Sequence, residues 1–197
     1  MPYTLVPVGN FPNETMALLF SIIFILFLII ELRIFTKQRL SSRNKFDKSS
    51  LIFILIGVFL PLIFAFYLAY SSVGRINTTW SYIGLIFVMF GFSLRQWSIK
   101  ILGKFFTPVV NIQKDQRIIQ TGPYKLIRHP SYTGLLIEVV GVGLFLSNWI
   151  STIIIFILLF SSLTYRIKIE EKVLINEFGS EYSNYIRNTK KLIPYIF

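Results

Sequence analysis

The residues of this chain that could do chemistry fall into two clusters. The only histidine, His129, sits in Arg128-His129-Pro130-Ser131-Tyr132, six residues after Gly122-Pro123-Tyr124. Arg166 with Glu170-Glu171 follows the next apolar stretch. Backbone amides left free at a helix start, together with an imidazole, could hold a small polar cofactor at a membrane surface. A plainer reading of the first cluster is a proline-started helix terminus, with Arg128 and Tyr132 as interfacial anchors. For Arg166 and Glu170 the plainer reading is an i, i+4 surface pair, but arginine before glutamate is the poorer order in a helix. Arg95 is either a snorkelling anchor or a functional cation. Glu138 lies two turns into an apolar run, where a carboxylate points by default to function; the plainer readings are that it is protonated, or paired with Arg95 or Arg128.

The elements that must position these groups are membrane spans. The chain has 197 residues, of which 54% are hydrophobic and only 15% charged. Apolar runs at about 15–35, 49–73 and 79–102 are each long enough to cross a hydrocarbon core of ~30 Å. Pro61 marks a kink in the second, tolerated in a membrane helix. Residues 103–128 are polar, contain Pro108, Gly122 and Pro123, and include a β-like stretch at 117–120; a connection this long points to function. From 131 to 165 the chain is apolar again, as one long helix or as a hairpin turning at Ser147-Asn148-Trp149.

Charge decides between them. Six basic residues fall between Arg33 and Lys48, seven between Arg95 and Arg128, and six between Arg166 and Lys191, with Arg75 alone elsewhere. Five spans with the N-terminus outside put 19 of the 20 basic residues on the cytosolic face. The expected fold is therefore an all-α integral membrane protein of about five transmembrane helices. Spans four and five form a hairpin, and a cytosolic C-terminal helix follows. Residues 1–102 would be a three-span membrane region, and 103–197 would carry the site. Past Arg166, the residues Glu170, Leu174, Phe178, Tyr182 and Tyr185 continue one helical stripe.

Composition excludes several function classes. With no cysteine, disulfides, zinc–thiolate sites and thiol nucleophiles are out. One histidine makes a His-rich metal site implausible. The formal charge of +11 flanks apolar runs rather than forming a soluble basic face, so anionic lipid is the expected partner and nucleic acid is not. No cleavable signal peptide is expected, because the start of the chain lacks a basic n-region.

The order Gly122-Pro123-Tyr124, Arg128-His129-Pro130-Ser131-Tyr132, Arg166, Glu170-Glu171 and Phe178-Gly179-Ser180-Glu181-Tyr182 resembles the isoprenylcysteine carboxyl methyltransferase family, related to the phospholipid methyltransferases. The resemblance runs from about Arg95 to the end of the chain, which is shorter than eukaryotic members. It implies S-adenosylmethionine as cofactor, held by Gln116, Arg117, Ile118, Ile119, Tyr124, His129, Pro130, Ser131, Tyr132 and Glu170. It implies Arg166 as the substrate contact and Arg166, Glu170 and Arg95 as the catalytic set. Asn111 stands near a glutamine that contacts the cofactor in eukaryotic members. The implied reaction is methyl ester formation on an isoprenylcysteine-like or similar amphiphilic carboxylate. N-methylation of a phospholipid or other amphiphilic amine is the alternative, and a non-catalytic or reductase-like membrane relative is a third.

Overall fold

The computed structural model describes residues 7–41, 48–71, 73–107, 112 and 114–197. Pro108 and Asn111 lie outside the described residues. Six α-helices are present among them: α1 (Glu14–Ser41), α2 (Lys48–Ser71), α3 (Trp80–Leu102), α4 (Pro130–Phe145), α5 (Trp149–Phe178) and α6 (Ser180–Asn188). The described residues contain no strand, only isolated bridges that pair Arg75 with Asn148 and Ile127 with Lys190. The 117–120 stretch is coil, because no neighbouring segment offers it a ladder of backbone partners.

Helices α1, α2, α3 and α5 are long and apolar enough to cross a membrane. Their outer faces carry large apolar side chains in the open, such as Ile63 at 67%, Tyr67 at 66% and Ile86 at 65% exposure. No water-facing surface would tolerate so much, whereas lipid would. The chain is an integral membrane protein. Helix α2 runs unbroken through Pro61.

Helix α4 differs in kind. It has 16 residues, of which Pro130, Thr133, Leu136, Val139, Val142 and Phe145 are among the buried. At ~1.5 Å per residue it is shorter than a hydrocarbon core is thick, yet it occupies the middle of the bundle. What allows this is a seven-residue spacing of glycines on two helices. Gly84 and Gly91 of α3 face Gly134 and Gly141 of α4. A Cβ on Gly134 would meet the Arg95 nitrogen at 2.7 Å, and one on Gly141 the Val88 nitrogen at 2.8 Å. The two helices therefore pack backbone against backbone, as small residues permit in membranes. Helix α2 packs along α5 as α3 packs along α4, so the parts of the chain on either side of residue 102 share one bundle.

The hairpin forms where the turn residues ask for it. Ser147 adopts a positive φ of 51°, and the Asn148 side chain caps α5 by accepting from the Ser151 amide at 2.9 Å. The turn is stitched to the α2–α3 connection: Ile76 N donates to Ser147 O at 2.9 Å and Trp149 N to Gly74 O at 3.1 Å. Asn10 Nδ2 donates to Ala69 O at 3.1 Å, which brings the first described residues to this same end. The α3–α4 connection and the segment after α5 share the opposite end.

Candidate functional site

The start of α4 is held by three separate devices. Pro130 occupies the first helical position, where its missing N–H costs nothing. The segment after α6 lies alongside: Lys190 N donates to Leu126 O at 3.1 Å, Arg128 N to Lys190 O at 2.8 Å, and His129 N to Lys191 O at 3.1 Å. Arg128 then turns inward. Its Nε donates to Glu171 Oε1 at 2.7 Å, and its Nη1 to the carbonyls of Ile186 and Thr189. Arg128 is buried, so it is a tie between α4, α5 and the C-terminal segment and not the solvent-facing anchor that its position allows.

A third tie comes from α3. Arg95 donates from Nε and Nη2 to the two oxygens of Glu31, each at 2.8 Å, and from Nη1 to the Ser131 carbonyl at 3.3 Å. Glu138 makes neither of the ion pairs that are one reading of it: Arg95 pairs with Glu31 and Arg128 with Glu171. Its Oε2 is buried without a hydrogen-bond partner.

These ties frame an open cavity of about 840 Å³ at the end of the bundle away from the hairpin turn. Of the residues expected at a site, Gln116, Arg117, Ile118, Ile119, Tyr124, His129, Ser131, Tyr132, Arg166 and Glu170 line it. Pro130 and Arg95 do not: Pro130 is the helix start behind the wall, and the Arg95 guanidinium is spent on Glu31 and Ser131. Helix α5 supplies the far wall through Arg166, Glu170, Val173, Leu174 and Phe178. Gly179 then takes φ 54°, a left-handed turn that glycine accepts readily. That turn starts α6 and brings Tyr182 and Tyr185 round to the same cavity.

The centre of the site is a hydroxyl between two charges. Tyr132 Oη donates to Glu170 Oε2 at 2.8 Å, and Arg166 Nε donates to Tyr132 Oη at 3.3 Å. Arg166 is only 1% exposed, whereas the Glu170 side chain is 30% exposed and open to the cavity. His129 stacks on Tyr132 with ring centroids 5.6 Å apart. Its Nδ1 is 4.0 Å from Glu170 Oε2 and its Nε2 3.5 Å from Glu171 Oε1. The second contact is a long one, and it makes Glu171 the neighbour that the buried Nε2 faces. Burial, and after it the Glu170 carboxylate, pushes the Tyr124 and Tyr182 phenols well above their ordinary value; burial does the same to Tyr185. All three enter the site as neutral hydroxyls. Tyr185 spends its proton on the Tyr124 carbonyl at 2.7 Å, which fixes the turn Gly122–Lys125.

Sequence reasoning missed Phe105, Phe106 and Thr107, which line the cavity just after α3; a short apolar stretch beyond a helix end gives no periodic signal. It also missed the roles of Glu31 and Glu171. Opposite charges near the ends of apolar runs on the same side are a readable hint for Glu31 with Arg95, but not for which pairs form.

An isoprenylcysteine carboxyl methyltransferase family model matches residues 83–176. A probable protein-S-isoprenylcysteine O-methyltransferase of Oryza sativa subsp. indica is 37% identical over 118 residues, 59% of this chain and 62% of that protein. The protein-S-isoprenylcysteine O-methyltransferase of Saccharomyces cerevisiae is 34% identical over 130 residues, 65% of this chain and 53% of that one. The chain thus spans about three-fifths or less of the length of these curated relatives. The solved structure of a eukaryotic intramembrane Ras methyltransferase superposes with a TM-score of 0.69 at 20% identity, over 98% of this chain and 73% of that one. The helical membrane fold is shared. The family match over residues 83–176 takes in most of α3, all of α4 and the Arg166–Leu174 part of the α5 wall, so the likeness to isoprenylcysteine carboxyl methyltransferases falls on the helices that build the cavity.

Proposed function

We propose that this chain transfers a methyl group from S-adenosylmethionine to the carboxylate of an isoprenylcysteine-like amphiphile, giving a methyl ester. The observation that carries the reading is the Arg166–Tyr132–Glu170 chain of hydrogen bonds on the cavity wall. It sets a cation for an anionic acceptor beside a carboxylate for a cationic cofactor. The Oryza and Saccharomyces relatives, named for this activity, support it.

The residues present fit such a cofactor. S-adenosylmethionine, when bound, supplies a methyl group on a sulfonium centre, and moving that methyl to a carboxylate cancels both charges. Glu170 is placed to accept from an ammonium group. His129 turns Nε2 toward Glu171 at 3.5 Å and presents its ring, stacked on Tyr132, to the cavity. Tyr124, Tyr182 and the apolar Ile118 and Ile119 offer surfaces for a flat ring. Gln116, Arg117, Ser131 and Tyr132 complete the proposed binding wall, with Pro130 fixing the helix start behind it.

Arg166 orients the acceptor. A carboxylate is already ionised at neutral pH, so no residue has to remove a proton, and the chain contributes mainly alignment. Phe105, Phe106 and Phe178 thin the water around the reacting groups, which favours a step that destroys charge. Arg95 acts on this site through the Ser131 carbonyl and is a positioning residue. Residues 103–197 carry the binding wall and 1–102 brace it, and the positive-inside distribution puts the site and the last residues on the cytosolic side.

Incubating the full chain in lipid vesicles with a methyl-labelled donor tests the reading. A prenylcysteine analogue should acquire a base-labile label. A base-stable label on phosphatidylethanolamine would move the activity to an amine, and no label on either would overturn it.

A further inference from the structure

A second cavity lies on the far side of the C-terminal segment from the first, with about 410 Å³ of empty space. Lys125, Arg187 and Lys190 line it, and no acidic residue does. Three cations round one hollow give it a positive potential that attracts an anion. The backbone holds them there. Lys125 ends the turn Gly122–Lys125 and Arg187 lies in the last turn of α6. Lys190 is pinned by its amide to Leu126 and by its carbonyl to Arg128.

The segment after Lys190 decides the kind of anion. Leu192 N and Ile193 N both donate to Phe197 O at 2.7 Å, closing residues 192–197 into a hook. The Phe197 ring rests 5.7 Å from that of Phe160, and Thr133 Oγ1 donates to Leu192 O at 2.7 Å. Phe160 lies in the apolar part of α5, six residues and ~9 Å before Arg166. The hook therefore packs its Phe197 ring onto the apolar part of α5, with Lys191 Nζ 5.3 Å from the ring centroid. Its outer side shows Ile193 at 38%, Tyr195 at 85% and Ile196 at 75% exposure. Lys125, Arg187 and Lys190 thus share one hollow with Tyr195, and the exposed apolar side chains of the hook adjoin it.

We infer that Lys125, Arg187 and Lys190, with the hook 192–197, form a binding site for one anionic phospholipid, separate from the methyl-transfer cavity. The phosphate sits among the three cations and an acyl chain lies along Tyr195 and Ile196. A free phosphate would use only the upper half, which leaves the hook without a role. The inference does not depend on the proposed activity.

Lipid retention by the full chain, purified in neutral detergent and read by native mass spectrometry, tests it. Dioctanoyl phosphatidylglycerol should bind one per chain and dioctanoyl phosphatidylcholine should not. Each of Lys125→Gln, Arg187→Gln and Lys190→Gln should weaken that binding on the order of fivefold. Lys100→Gln with Lys104→Gln, which removes charge elsewhere on the surface, should leave it unchanged. Tyr195→Ser with Ile196→Ser should weaken the lipid while all three cations remain. Equal loss in the remote-charge variant would reduce the effect to general electrostatics and overturn the site. Displacement of the lipid by inorganic phosphate at millimolar concentration would make it a free-phosphate site and overturn the lipid. All the substituted cations are solvent-exposed, so melting temperatures should match the parent chain, and a shared loss of both binding and folding in every single variant would count against a built site.

Discussion

Arg95 and Glu31, 64 residues apart, meet through two parallel hydrogen bonds of 2.8 Å each, Nε to Oε1 and Nη2 to Oε2. The geometry is the bidentate fork that suits guanidinium and carboxylate. It locks α1 to α3 at the level where α3 braces the start of α4. Removing one partner strands the other charge, at a cost on the order of 3 kcal/mol. Glu31→Leu and Arg95→Leu should each lower the melting temperature in detergent, and the double substitution should be more stable than either alone. Additive losses would mean that the two are not energetically linked.

Tyr132→Phe removes one hydroxyl and almost nothing else. The stacking on His129 survives, but Arg166 and Glu170 lose the group between them. A hydrogen bond to a charged partner contributes about 1.5–3 kcal/mol, so kcat/KM should fall roughly ten- to hundredfold. Thermal stability should move little, because Glu170 remains open to water. A large drop in melting temperature with intact kcat/KM would make Tyr132 a structural residue only.

Much of the helical plan was legible because hydropathy runs and charge flanks are local properties. The hairpin is an example: Arg128 before the apolar run and Arg166 after it want the same side, which requires a turn at Ser147-Asn148-Trp149. The stripe Arg166, Glu170, Leu174, Phe178 was legible as one face of α5, since helical spacing fixes it; Tyr182 and Tyr185, expected on the same continuous stripe, reach the cavity through the turn at Gly179 that ends α5. That the face lines a cavity and not a core was not, because the answer depends on what stands opposite. Phe105 and Phe106 stand opposite, in a connection without periodicity. Arg95 shows the limit most clearly. Its place near the end of α3 could be read, but its commitment to Glu31 required knowing that α1 and α3 meet there.

Three buried phenols give the chain an alkaline limit. Tyr124, Tyr182 and Tyr185 have folded-state values raised above the ordinary 10.0. Above that pH the unfolded chain releases their protons while the folded chain keeps them. The stability they confer is thus complete below about pH 10 and lost as pH rises, by up to ~1.4 kcal/mol per unit for each group. Melting temperatures should fall more steeply between about pH 9 and 11 for the parent chain than for Tyr124→Phe with Tyr182→Phe. Parallel curves would refute the assignment.

Gly91 has no room for a methyl group. A Cβ there would collide with the backbone of Glu138 and, at 2.7 Å, with the Gly134 carbonyl. Backbone cannot step aside as a flexible side chain can, so α3 and α4 would have to separate. Gly91→Ala should cost about 1–3 kcal/mol, whereas Ser93→Ala, on the exposed face of the same helix, should stay within about 0.5 kcal/mol. Equal effects at the two positions would show that the close crossing does not carry the bundle.

Arg166 and Glu170 are one helical turn apart, yet they are assigned to different ligands. That difference can be measured. Glu170→Ala removes the acceptor for the cofactor's ammonium group, so calorimetry with S-adenosylmethionine should show affinity weakened by about tenfold or more, as for a lost charged hydrogen bond. Arg166→Ala should leave that affinity within about threefold and instead abolish turnover of a carboxylate substrate, because the clamp acts only on the acceptor. Arg166 is buried beside Tyr132, so its loss also threatens packing. Arg166→Lys keeps the charge and most of the volume but lacks the planar fork; it should fold, bind cofactor and still turn over poorly. Full turnover in Arg166→Lys would leave only a point charge at this position, and unchanged cofactor affinity in Glu170→Ala would remove the carboxylate from the binding wall.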